Sequence, residues 1–490
     1  MNLSYSELFR ALLPETSLVL GALIVLGIDL AFGRKNDAAH RLRTSTILGL
    51  VAVIAAIYGS IAAGVGGVVF RGVITLDELT LATRLGVLVL TGLTLLMLPG
   101  VTRLKNSAEY VAIILLAASG FTLMAGVQQL LVAFLAIELA SLSLYVLAGF
   151  NKQSPASAEA GLKYFLFGGM SAAFLLFGFS LIFGLTGAID FPHIAMQISL
   201  QGMSPLLVVA LTMVVVAFGF KAAAAPFHLW APDVYQGAPA SSAALIASAS
   251  KLAGFAVFLR LLWPALGFSA GRVSELPVIV GWLPVVAVLA LASMLIGNFG
   301  ALAQSNVRRL LAYSAIAHAG SLLLGVVAAG RAGPGPVFYY AATYGLATVG
   351  IFGVIAVIER AGRCHDLTDL AGLYKRSPFL AAVLAVFVLS LAGIPPLAGF
   401  FGKFAVFAAV LKLGTLSGPA GWLVIAAIAL SAVALYYYLL ILKQALVAAP
   451  AHDATAPIVT PAFATLALLI SAGLIVYLGL FPSQVLQIFG

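Results

Sequence analysis

The sequence predicts an all-α polytopic membrane protein with about 14 transmembrane helices. Most of these form two inverted five-helix repeats, each containing a discontinuous helix. Three observations predict this. Of the 490 residues 63% are hydrophobic and only 8% are charged, with a mean hydropathy of +1.15, a balance no water-soluble core needs. Apolar runs of bilayer length recur along the chain between short loops rich in Gly, Pro or basic residues. Two runs are too long for one straight crossing and carry prolines near a lysine.

The expected spans lie at 11–33, 44–65, 79–100, 109–126, 127–149, 161–187, 204–236, 240–263, 278–298, 309–329, 336–359, 379–411, 420–447 and 460–481. The first lacks a basic leader and a small-residue cleavage site, so it reads as a retained helix and not a signal peptide. Loops after odd-numbered spans hold Arg34, Lys35, Arg41, Arg43, Arg103, Lys105, Lys152, Arg308, Arg309, Arg360, Arg363, Lys375, Arg376 and Lys443. The opposite side holds only Arg10, Arg71, Arg272, Arg331 and Lys412. The positive-inside rule then places both termini on the non-cytoplasmic side of the cell's inner (plasma) membrane. The net charge of +9 thus orients the chain in a lipid bilayer and does not indicate nucleic acid. One cysteine, Cys364, in a loop, makes neither a disulfide nor an iron–sulfur site alone. With no CxxC, Walker A or GxGxxG fingerprint, the chain is expected to hold no metal, redox centre or nucleotide of its own.

Once the loops are set aside, Arg84, Lys163, Lys221, Lys251, Arg260 and Lys403 remain in or at the edge of spans, and Glu138 lies near the centre of the fifth. Each central charge costs roughly 2.5–3.5 kcal/mol, so Glu138, Lys221, Lys251 and Lys403 together cost about 10–14 kcal/mol. Arg84, Lys163 and Arg260 lie within a few residues of a span end and are expected to snorkel to the headgroups. Lys251, near the middle of its span, and Glu138, with a short side chain, cannot. A structural ion pair would use Glu138 and one lysine, leaving the other lysines unbalanced. The neighbours favour a hydrated interior: Ser141 and Tyr145 follow Glu138 on one face, Ser248 precedes Lys251 by one turn, and Ser314 and Ser321 flank His318.

Pro226 and Pro232 interrupt the seventh span, with His228 between them; Gly393, Pro395, Pro396 and Gly399 interrupt the twelfth in "LAGIPPLAGFFGKF". Such breaks persist at membrane depth only inside protein or along a wet cavity, and they mark ion sites in transporters. Lys221 and Lys403 are 182 residues apart, and Glu138 and His318 are 180 apart. The runs "KYFLFGGMSAAFLLFGF" and "YYAATYGLATVGIFGVI" begin 176 apart. These spacings indicate a repeat of five spans, and an odd number inverts the second copy. The expected units are 1–105 (three helices, lacking a central acid–base pair and read as a brace), 106–265 and 275–448 (the repeats), and 449–490 (a final helix).

The stretches "FLAIELASLSLYVLAGF", "EAGLKYFLFGGMSAAFLLFG", "FKAAAAPFHLWAPDVYQGAP", "SKLAGFAVFLR", "NVRRLLAYSAIAHAGSLLLG" and "SLAGIPPLAGFFGKF" resemble the antiporter-like membrane subunits of respiratory NADH:quinone oxidoreductase (complex I), specifically the subunit N family. The resemblance covers essentially the whole chain. It implies a proton-translocating translocase subunit that works with other membrane and peripheral subunits, in a complex using NADH, FMN, iron–sulfur clusters and a quinone. It implies a relay on Glu138, paired with Lys221, then Lys251 and Lys403, with His318 linking the last two; Lys163, His228, Ser141, Tyr145 and Ser248 are secondary candidates. Lys403 stands where some relatives carry glutamate. Two alternatives stay open: a cation/proton antiporter subunit, and a non-pumping scaffold of the membrane arm. A hydrogenase or photosynthetic relative of complex I would share these residues.

Overall fold

Bilayer-length apolar runs leave the backbone no partner but itself, so they close into helices. The computed structural model describes residues 5–33, 36–69, 72–100, 106–273, 281–362, 364–449 and 456–489. Arg34, Lys35, Arg71, Arg103, Lys105 and Arg363 lie outside the described residues. The chain opens with a short helix α1 (Tyr5–Ala11), then α2 (Leu13–Phe32) and α3 (Ala38–Ala63), whose cap Asp37 accepts from the His40 amide. A small antiparallel hairpin, β1 (Gly67–Val69) and β2 (Ile74–Leu76), departs from the all-helical expectation. It pins the end of α4 (Glu78–Leu96), which Asp77 caps.

Next come α5 (Ser107–Gly126), α6 (Leu130–Ala148) and α7 (Pro155–Thr186), which starts on a Ser154 cap with proline at its first position and stops at left-handed Gly187. A helix absent from the expected spans, α8 (Phe191–Gln201), follows. The seventh span divides into α9 (Pro205–Ala222) and α10 (Trp230–Gly237). Pro226 lies in the gap, but Pro232 does not interrupt: it sits in the first turn of α10, where the amide has no helical acceptor to lose. The eighth span is interrupted without warning at Ser248 (φ −113, ψ −86), which separates α11 (Ala240–Ala247) from α12 (Ala249–Arg260). Lys251 therefore stands in the first turn of α12 and not mid-helix.

The second half runs α13 (Trp282–Leu302), α14 (Val307–Ala332), α15 (Gly335–Ala361), α16 (Leu373–Arg376), α17 (Pro378–Ala392), α18 (Ala398–Leu411) and α19 (Pro419–Leu442), and α20 (Ala462–Leu480) and α21 (Ser483–Leu486) close the chain. Among the described residues thirteen helices are long and apolar enough to cross a membrane, and α17 with α18 makes the fourteenth span. The core is central: every residue of α11 and α12 is buried, whereas in the most apolar stretches of α2 and α7 only 28% of the residues are, and these helices present apolar faces outward.

Both halves repeat the same backbone devices. Isolated bridges join Gln129 to Asp190 and Asn306 to Asp366, 177 and 176 residues apart. Left-handed Ala223 and Gly393, and the cis Ala225–Pro226 and Pro395–Pro396 bonds, recur 170 apart. Across the breaks the register is thus 170, and Leu391, not Lys403, corresponds to Lys221. The two lysines flank their breaks from opposite sides: Lys221 ends α9, and Lys403 lies in α18 beyond its gap. The counterpart helices α6 and α14 run in opposite directions. Gln129 begins α6 at the end of the molecule that carries the hairpin, whereas the end of α14 reaches that same region, where Ala329 and Pro334 share a cavity with Asp77 and Arg260. The first and last described segments both lie at this end: Arg10 donates to the Ala62 carbonyl (2.6 Å), and Ile488 and Phe489 line the Asp77 cavity.

Arg84 and Arg260 do not snorkel. Arg84, 1% exposed, donates to Glu15 at 2.9 Å and ties α4 to α2, so the N-terminal helices do contain a buried acid–base pair. Arg260, on α12, forks onto Asp77 and donates to Thr80 Oγ1 at 2.7 Å and to the Ala125 carbonyl. Each pair offsets its desolvation with a carboxylate that sequence distance conceals.

Two consequences of this packing are measurable. Gly399 donates its amide to Ser390 Oγ at 3.1 Å, and a methyl group there would collide with the Ser390 carbonyl. Gly399→Ala is expected to cost about 1–3 kcal/mol or more and to reduce the assembled protein in membrane extracts; normal levels would show that the break can relax. Cys364 is fully buried; burial, reinforced by Glu359, pushes its thiol up to about 12. The native protein should resist maleimide at pH 7.5 and take one label after denaturation; rapid native labelling would contradict this burial.

Candidate functional site

Helix α9 stops because Ala223 turns left-handed (φ 58), and the Ala224 amide folds back to the Gly219 carbonyl at 2.7 Å. The freed backbone is not left bare: Ser293 Oγ of α13 accepts from the Ala225 amide (2.8 Å), and Trp230 Nε1 donates to the Phe220 carbonyl (3.2 Å). Lys221 leaves this helix end and donates to Ser141 Oγ at 3.0 Å. Glu138 lies one turn before Ser141, and it shares with Lys221, Ser141 and Tyr145 a cavity of about 20 Å³, room for a single water. The expected direct Glu138–Lys221 ion pair does not form among the described residues; Lys221 donates to Ser141 instead, and all three line the same cavity. Glu138 and Lys221 are both only half-buried.

Beyond Lys221 the line narrows. A cavity of about 10 Å³ touches both Lys221 and Lys251, and Phe218, Phe255 and Phe258 wall it. Ser248, its Oγ bound to the Ala244 carbonyl (2.6 Å), sets the kink that turns Lys251 inward. Lys251, 3% exposed, donates to the Ala315 carbonyl of α14 at 2.7 Å and sits 5.3 Å above the Tyr344 ring.

Tyr344 carries the line onward, with its ring centroid 4.9 Å from that of His318. Both ring nitrogens of His318 are engaged: Nδ1 with the Tyr340 hydroxyl (2.6 Å), Nε2 with the Tyr438 hydroxyl (2.9 Å), and Tyr438 also meets Ser314 Oγ. A neutral imidazole donates one of these bonds and accepts the other, so either hydroxyl can exchange a proton with the ring. A cavity of about 10 Å³ joins His318, Ser321 and Tyr340 to Lys403 and reaches Ser431 on α19. Lys403 donates back across the break to the Ala392 carbonyl at 3.0 Å, holding the end of α17.

Glu138, Ser141, Tyr145, Lys221, Ser248, Lys251, His318 and Lys403 therefore lie along one path. Lys163 does not join it. It pairs with Glu159 (2.6 Å) and Asp233 (2.5 Å), and Asp233 also takes Arg309 (2.6 Å), an ionic cluster tying α7, α10 and α14 together. His228 is buried in the first break, and its Nδ1 has no hydrogen-bond partner among the described residues. Pro226, Gly393, Pro395 and Pro396 lie in the two gaps, and Gly399 in the first turn of α18. Sequence reasoning missed Tyr340, Tyr344 and Tyr438. Their signal was visible in "YYAATYG" and "YYY", where hydroxyl-tipped rings stand inside spans and need polar partners.

A row of lysines inside the helix bundle, Lys221 and Lys403 beside two broken helices and Lys251 between them, defines the chain as an antiporter-like membrane subunit. Residues 127–435 match the family described as NADH:quinone oxidoreductase/Mrp antiporter, TM. NADH-quinone oxidoreductase subunit N 2 of Acidobacterium capsulatum is 45% identical over 99% of both chains. Subunit N 1 of Roseiflexus castenholzii is 38% identical, over 97% of this chain and 96% of that one. This chain belongs to the NADH-quinone oxidoreductase subunit N family. Among solved structures, a chain of respiratory complex I from Thermus thermophilus with bound aureothin matches with a TM-score of 0.80 and 31% identity, covering 97% of this chain and 100% of its own. A chain of the Mrp complex from Dietzia has a TM-score of 0.81 at 20% identity, covering 99% and 96%, and shares the fold.

Proposed function

We propose that this chain is a proton-translocating subunit of a membrane-bound NADH:quinone oxidoreductase, carrying protons outward along Glu138, Lys221, Lys251, His318 and Lys403. The observation that carries this reading is the succession of buried polar groups, in which Tyr344 and His318 bridge two lysines on different halves of the fold. A lysine can hold or release one proton, and an imidazole between two hydroxyls can pass one through. The apolar wall between Lys221 and Lys251 is the step at which protons are held back until water enters, and Glu138, one serine away, is the charge whose motion would admit it.

Lifting a charge against about 150 mV costs roughly 3.5 kcal/mol. We assign that energy to quinone reduction in partner subunits of the complex, which supply NADH, FMN and iron–sulfur chemistry. Glu138, partly exposed at mid-membrane, calls for a protein neighbour over that face. On this reading both termini face outward and the basic end faces the cytoplasm, residues 106–265 and 275–448 are the two inverted working units, and residues 1–105 and 449–490 flank them. A sodium route fits less well, because a hard cation needs several oxygen ligands and Glu138 is the single carboxylate on the path.

Lys221→Ala tests the proposal in inverted membrane vesicles, with protons moved per NADH oxidised and complex assembly measured on the same preparation. The ratio should fall while the complex assembles. An unchanged ratio would leave the lysines as packing elements of a scaffold, and pumping that follows sodium would favour the cation antiporter.

A further inference from the structure

At the basic end, away from the relay, a cavity of about 510 Å³ opens between α7, α10, α11, α14 and α15. Three helices begin at its wall: α7 at Ser154 and Ala156, α11 at Ala240 and Ser241, and α14 at Arg308. Their aligned peptide dipoles direct partial positive charge into one space. The first turn of α11 has no side-chain cap, since Pro239 precedes it, and the Ala240 and Ser241 amides donate to none of the described residues. Arg308 is 7% exposed. Its Nη1 holds the Gln236 and Ala238 carbonyls (3.2 and 2.8 Å) and its Nη2 holds Glu359, but its Nε, buried, has no partner among the described residues. Arg360 and His365 add further basic groups to the lining. Among the described residues Glu359 is the one carboxylate in the lining, and Arg308 already occupies it.

We infer that this cavity binds a phosphate-type oxyanion through the uncapped amides of Ala240 and Ser241, the charge of the Arg308 guanidinium in its wall, and Arg360. Donors placed on several sides suit a tetrahedral anion better than a planar carboxylate or a halide. The volume takes a headgroup as readily as a free ion, and the cavity lies at the end of the molecule where basic pockets between membrane helices meet anionic lipid. The chemistry is the same whether the phosphate belongs to an anionic phospholipid or is free in solution.

The test uses the intact complex after exhaustive detergent exchange, comparing the unaltered protein with Ala240→Glu. The added carboxylate fills the donor set from within, and an acid in the first turn of α11 suits the helix. Thermal stability is titrated with inorganic phosphate against chloride at equal ionic strength, and compared in nanodiscs of phosphatidylglycerol and phosphatidylcholine. Bound phospholipid is counted by mass spectrometry. The unaltered complex should be stabilised by phosphate or by phosphatidylglycerol, and Ala240→Glu should weaken that response at least tenfold with NADH oxidation intact. Stabilisation by phosphatidylglycerol alone, with one lipid lost in the variant, identifies a headgroup; stabilisation by phosphate alone identifies a free anion. No response in the unaltered complex, or an equal one in both, overturns the assignment, as does a partner subunit's carboxylate found in the cavity. Should Ala240→Glu fail to assemble, exposed Arg360→Gln carries the same comparison.

Discussion

Lys251→Arg should assemble into the complex and yet reduce proton translocation through this subunit by tenfold or more, which corresponds to a barrier raised by about 1.4 kcal/mol or more. Arginine keeps the positive charge, and with it the attraction to the Ala315 carbonyl and the Tyr344 face. What it loses is the capacity to give up its proton, because a guanidinium stays protonated throughout the accessible pH range. The substitution thus separates charge from proton exchange, which Lys251→Ala does not. Protons moved per NADH in sealed vesicles, with quinone reduction recorded alongside, provide the readout. If the ratio holds in an assembled Lys251→Arg complex, Lys251 is a structural cation and the relay takes another path.

Arg260→Ala should have the largest effect on stability, about 3–5 kcal/mol. Arg260 is 4% exposed and serves three acceptors on two other elements: Asp77, Thr80 Oγ1 and the Ala125 carbonyl. Burial pushes the Asp77 carboxyl up, but Arg260 and the Thr80 amide more than offset this and hold it below the usual carboxylate range. A depressed carboxyl contributes stability that is complete above its unfolded value near 4 and lost only as pH falls through its folded value. At neutral pH the whole interaction is therefore present to be lost. Arg260→Ala should give less subunit in the assembled complex and earlier loss on heating in detergent, with Arg260→Lys intermediate because it cannot fork. Full assembly and unchanged heat resistance in Arg260→Ala would show that the pair contributes little.

The sequence was most legible where the controlling physics is local. Bilayer-length apolar runs, prolines beside lysines and an acid inside a span each declare themselves within a few residues, and they located Glu138, Lys221, Lys251, His318 and Lys403. It was least legible where a residue's partner is remote. Arg84 and Arg260 resemble snorkelling residues until Glu15 and Asp77, 69 and 183 positions away, are brought to them. The equal spacing of Lys221 and Lys403 suggested equivalence, but their positions on opposite sides of the two breaks depend on backbone register, which residue types do not reveal.

By itself the sequence determined that this chain lives in a bilayer, how many times it crosses, where two crossings break and that Glu138, Lys221, Lys251 and Lys403 stay at membrane depth, because hydrocarbon enforces those features one segment at a time. Tertiary structure alone decided that Lys221 donates to Ser141 beside Glu138, that Ser248 kinks the eighth span, that Tyr344 stands between Lys251 and His318, and that Tyr340 and Tyr438 hold the imidazole. Those links join side chains up to 120 residues apart, and a hydrogen bond needs its two atoms within about 3 Å, a condition that only the packed helices meet.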